Sequence, residues 1–167
     1  MKRLFTVFGI LSLIFSACTQ KKLSERDQKL QERQQAIDVK KNELGPLAGT
    51  YYGQLTGENS YNQNIKVVLE VKDVPQSDGQ ADPILIPKLV GNLRFLYGSE
   101  DSNEYIDCVI KSAEYNKSTH QISLVIVHQQ FNEMLLSGIV SSNKISGSWN
   151  AASVGVRGDF QVDKGEK

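Results

Sequence analysis

The chain has 167 residues and carries 19 Lys and Arg against 19 Asp and Glu, a formal net charge of zero at neutral pH. The balance hides an asymmetry: residues 19–45 are slightly basic, whereas residues 46–167 are mildly acidic and contain no basic cluster. That distribution speaks against a nucleic-acid partner, and the presence of only two cysteines excludes a disulfide framework.

In chain order, the first element is a leader. Lys2 and Arg3 precede the apolar run 4–15, which is too short for the roughly 20 residues that span a bilayer and reads as the h-region of a secretory signal. It closes on Phe15-Ser16-Ala17-Cys18. Small residues at Ser16 and Ala17 followed by Cys18 resemble a bacterial lipobox, with Phe15 where Leu is usual. The resemblance implies cleavage before Cys18 and a diacylglyceryl thioether on it, with a further acyl chain on its amine. Two or three chains anchor stably, at roughly 0.8 kcal/mol per buried methylene. Thr19 in place of Asp is similar to the sorting pattern that releases lipoproteins to the outer membrane. The expected address is therefore the cell envelope, with the membrane engaged through Cys18 and the outer membrane favoured. The divisions are 1–17 leader, 18–46 lipidated cysteine and tether, and 47–167 folded domain.

Residues 19–44 lack aromatic residues, Pro and Gly and are rich in Lys, Gln, Glu and Arg, a helical composition. Leu23, Leu30, Ile37 and Leu44 recur every seven residues, but the companion heptad positions are charged or polar, as at Arg26, Arg33 and Lys40. This is half of a coiled-coil seam. The reading is a solvated helical spacer of roughly 40 Å, at 1.5 Å per residue, ended by Gly45-Pro46. Docking of its single apolar row is the alternative.

From Leu47 onward short alternating apolar runs are separated by turn residues. They predict eight strands at 49–55, 65–72, 85–97, 104–115, 120–128, 133–140, 145–151 and 154–162. In the second, Ile65, Val67, Leu69 and Val71 share one face, opposite Lys66, Glu70 and Lys72. In the fifth, Ile122, Leu124, Ile126 and His128 form one row, while Val125 and Val127 make the other row apolar as well, a surface for which the tether is a candidate cover. Pro87 is expected to delay pairing of the third strand until after it. The segment 74–83 reads as a polar rim loop, and 100–104 as a solvated hairpin tip.

Eight sequential strands with short hairpins predict an all-β, antiparallel, up-and-down barrel; a two-sheet β-sandwich is the alternative. Gly49-Thr50-Tyr51 opens the first strand and Arg157 falls in the last, which is similar to the calycin pattern of an aromatic residue on strand one covered by an Arg from the final strand. Tyr51 stands where Trp is usual. The resemblance implies a Tyr51–Arg157 pair closing the barrel, and a mouth that binds small molecules, as in lipocalin-like proteins.

No HExxH, CxxC, P-loop or GxSxG motif occurs, and no paired nucleophile and base stands out, so an enzyme is not expected and no cofactor or metal is implied. His120 and His128 lie eight apart on one strand, roughly 26 Å at 3.3 Å per residue, too far to share a metal. Cys108, within an apolar run, reads as a buried inert thiol. Trp149 shares a face with Ile145 and Gly147, and either fills core or lines a pocket with Phe95, Tyr97 and His128. The expected function is a lipid-anchored envelope protein whose barrel binds a small, largely apolar ligand. The alternative is an envelope protein-interaction or inhibitor module.

Overall fold

The computed structural model describes residues 24–76, 84–97, 105–129 and 132–165. The leader, Cys18 and Thr19, the rim-loop residues 77–83 and the hairpin tip 98–104 lie outside the described residues. One helix, α1 (Glu25–Leu44), precedes eight strands: β1 (Gly49–Gly57), β2 (Asn62–Gln76), β3 (Ile84–Leu96), β4 (Tyr105–Asn116), β5 (Gln121–His128), β6 (Asn132–Ser141), β7 (Lys144–Ala151) and β8 (Val156–Lys164). Each strand pairs antiparallel with its sequence neighbour and β8 returns to β1, closing an up-and-down barrel. Two-sheet packing is thereby excluded.

By contacts the chain divides into two units, residues 1–36 and 37–167. In the first, α1 is started by Ser24, whose Oγ accepts a hydrogen bond from the Asp27 N–H, with Glu25 and Asp27 in the first turn against the helix dipole. Its described residues through Ala36 are solvent-exposed, Leu30 included, and the helix is too polar to cross a membrane. The second unit begins inside the helix. Ile37 is half-buried, while Leu44 and Leu47 are buried members of the core. Lys41 pairs with Asp73 at 2.8 Å, and Glu43 lies 3.9 Å from Lys117. The compact unit therefore starts ten residues before the boundary expected from composition, because the last turn of the tether contributes core volume.

Alternation decides which side chains point inward. Ile65, Val67 and Leu69 on β2 and Ile122, Leu124, Ile126 and His128 on β5 are buried, as the sequence pattern demands. Two glycines permit the tight coiling that closes eight strands. A Cβ on Gly91 would stand 1.8 Å from the Val68 carbonyl oxygen, and one on Gly158 equally close, at 1.8 Å, to that of Thr56.

Pro87 does not delay pairing with β2. That ladder runs on through Asp73↔Pro87 to Gln76↔Ile84. What starts later is the β3–β4 ladder, which begins only at Gly91↔Ile110, followed on β4 by a bulge between Ile110 and Ser112. Residues 84–90 thus have a ladder partner on one side only, the position in which a strand tolerates proline. β2 also extends to Gln76, so the start of the expected rim loop is strand.

Candidate functional site

Of the four candidate ligand residues, three point into the barrel and are consumed by packing. Phe95 near the end of β3 and His128 at the end of β5 meet edge to face, with ring centroids 5.0 Å apart, and both are buried. Burial pushes the His128 imidazole below its usual range, favouring the neutral ring. Trp149 on β7 is buried, and its indole N–H donates to the Thr56 carbonyl at 2.9 Å. Tyr61 tilts against it at 5.6 Å, and burial raises the phenol pKa of Tyr61, with a smaller contribution from nearby Tyr97. Tyr97 itself follows β3 and is exposed. The register places all four at the same end of the barrel, where Phe95 and His128 form one packed pair, Trp149 and Tyr61 another, and Tyr97 is exposed near Tyr61.

The expected closing pair is corrected at one member. Tyr51 is buried at the start of β1, and its hydroxyl donates to the Leu47 carbonyl at 2.9 Å. The cation over its ring is Lys164, with Nζ 5.7 Å from the centroid, not Arg157. Register explains the exchange. Because β8 is antiparallel to β1, Tyr51 faces the end of β8, where it is paired with Lys164. Arg157, seven residues earlier and about 23 Å away along the strand at 3.3 Å per residue, is paired across from Asn150 near the other end. Its guanidinium is exposed and lies 3.4 Å from Glu58.

His120 and His128 sit at opposite ends of β5, and His120 Nδ1 lies 3.2 Å from the Tyr115 hydroxyl. Among the described residues no group of three or more His, Cys, Asp or Glu is placed to hold a metal ion. Cys108 is buried, and desolvation, with a smaller effect from Asp107, pushes its thiol up to about 11.

The outer wall is divided by chemistry. On β4, β5 and β6, Val109 faces Val127 and Val125 faces Leu135 across the ladders. Val109 is 66% exposed and Val127 45%, so nothing described within residues 37–167 covers this row. The Lys111–Glu133 ion pair borders it. Below the last β3–β4 pair, Leu44, Ile86, Leu89, Ala113 and Tyr115 surround a cleft of about 410 Å³ that also touches Lys40, Lys88 and Lys111. On the other side a larger groove, about 720 Å³, crosses β7, β8, β1 and β2 and is lined by amide, hydroxyl and carboxylate side chains together with Tyr52, Ile65, Leu96 and Phe160.

Sequence reasoning singled out the outward row of Val125 and Val127, but not Val109 and Leu135 beside it, nor Lys164, nor the groove. Lys164 has no local signature. The two surfaces arise from outward residues on neighbouring strands whose register no single strand reveals. No family model, curated protein or solved structure matches this chain.

Proposed function

We propose that this is a lipid-anchored protein of the cell envelope whose barrel serves as an interaction or inhibitor module, recognising an envelope protein through its outer wall. The observation carrying this reading is the use of Phe95, His128 and Trp149 as packing, together with exposed Val109, Val127 and Leu135 and half-buried Val125 on one wall. The anchor rests on the lipobox-like Phe15-Ser16-Ala17-Cys18, and Thr19 supports the outer membrane. Helix α1 then serves as the linker between lipid and barrel.

A photoreactive phenylalanine analogue at Val127 in the full chain, expressed in its own host, should capture a discrete envelope protein. Absence of any protein adduct would overturn the reading. A second reading, a barrel that carries a small apolar ligand, is favoured by the apolar cleft beside Leu44. Native mass spectrometry separates the two, since a stoichiometric apolar adduct supports the carrier.

A further inference from the structure

We propose that the groove across the outer wall of β7, β8, β1 and β2 binds a linear glycan laid across the strands, independently of the apolar wall. The register sets four polar side chains abreast on four adjacent strands. Ser146 pairs with Gln161, Gln161 with Gln54, and Gln54 with Asn64. At a strand spacing of about 4.8 Å these four rungs extend over about 14 Å. One rung per strand is comparable to one pyranose per rung. The feature is a concavity of about 720 Å³, which distinguishes it from the flat wet face that Ser, Asn and Gln ordinarily give a strand.

The side chains are already partly oriented. Gln54 Nε2 donates to Asn64 Oδ1 at 3.1 Å, and Gln161 Nε2 lies 3.4 Å from Asp163 Oδ2. Each amide has two donors and a carbonyl oxygen, so these bonds leave the Gln54 and Gln161 carbonyl oxygens and the Asn64 amino group to address a ligand. Planar amides and the carboxylates of Asp159 and Asp163 suit vicinal hydroxyl and acetamido groups. Tyr52, 38% exposed at one side of the groove, has Lys66 Nζ 5.3 Å from its ring centre, and the ring area that Lys66 leaves open offers a surface for a sugar's C–H face.

Other ligand classes fit less well. The central row has no cation to receive phosphates, and both Asp159 and Asp163 repel them. The groove's apolar members are Ile65 and Phe160, both buried in the core, and half-buried Leu96, which leaves little accessible apolar surface to anchor a peptide or an acyl chain.

The test is isothermal titration of the detergent-extracted full chain with two named probes, hexa-N-acetylchitohexaose and cellohexaose. Binding of either should occur below millimolar concentration, and preference for the first would assign an N-acetylated glycan. The double variant Gln54→Ala, Gln161→Ala alters only exposed side chains and should weaken binding about tenfold or more. Val127→Lys should leave it unchanged. Failure of both probes at millimolar concentration, or binding indifferent to the double variant, would overturn the proposal. Protein capture at Val127 is read separately, so the failure of one assignment leaves the other standing.

Discussion

Lys164 extends its ammonium group to 5.7 Å from the centre of the Tyr51 ring, and the two residues shut the end of the barrel where β1 begins and β8 finishes. The same ammonium donates to the Pro46 carbonyl at 2.8 Å. One side chain thus joins the last strand, the first strand and the turn that follows the helix.

Lys164→Ala should therefore destabilise the barrel by about 1–2 kcal/mol, the combined size of a cation–π contact and a charge-assisted hydrogen bond. Arg157→Ala, with an exposed guanidinium, should stay within about 0.5 kcal/mol. Urea denaturation of both variants checks the ordering. A larger loss for Arg157→Ala would restore the calycin-like assignment.

The helix should behave as two segments. Leu44→Ala removes a buried core side chain and should cost about 2–5 kcal/mol, whereas Leu30→Ala, on an exposed turn, should be near neutral. Thermal melts of the two variants read the difference. Equal, small effects would mean that the barrel folds without the last turn of α1.

Acid should weaken the fold through His128. Its folded pKa is lowered by burial, so between that value and the unfolded value near 6.5 the unfolded chain binds more protons. The stability linked to the neutral ring is fully present above pH about 6.5 and is lost as pH falls below it. Melting temperature should drop between pH 7.5 and 5.5, and His128→Phe should flatten that part of the profile. An unchanged slope in the variant would assign the acid sensitivity elsewhere.

Cys108 should resist modification in the native state. With its thiol pushed up to about 11, it lies above the ordinary free-cysteine value, so its thiolate fraction at pH 8 is lower by roughly two orders of magnitude. Iodoacetamide labelling followed by peptide mass spectrometry should find Cys108 unmodified when folded and modified in urea. Rapid native labelling would show that β4 opens locally.

Strand count, antiparallel order and the inward rows were legible because each depends on local alternation. Ile122, Leu124, Ile126 and His128 could be assigned inward from spacing alone. What depended on register was not legible. Tyr51 needed a cation, but whether Arg157 or Lys164 supplied it is fixed by how far β8 slides along β1. Leu44 looked like the last member of a weak heptad row; its burial depends on β3 and β4 parting below Gly91 and Ile110. The polar groove is likewise a product of pairing, since Gln54 and Gln161 are distant in sequence and adjacent only in the closed sheet.

The pairing of β1 with β8 also has a temporal meaning. Seven residue pairs from Tyr51↔Lys164 to Gly57↔Gly158 join the first strand to the last. Synthesis from the N-terminus makes β1 long before its second partner, so the ring closes only after residues 158–164 have left the ribosome. Contacts of such sequence separation slow folding. Until that last strand is made, β1 has only β2 beside it and the sheet keeps two open edges.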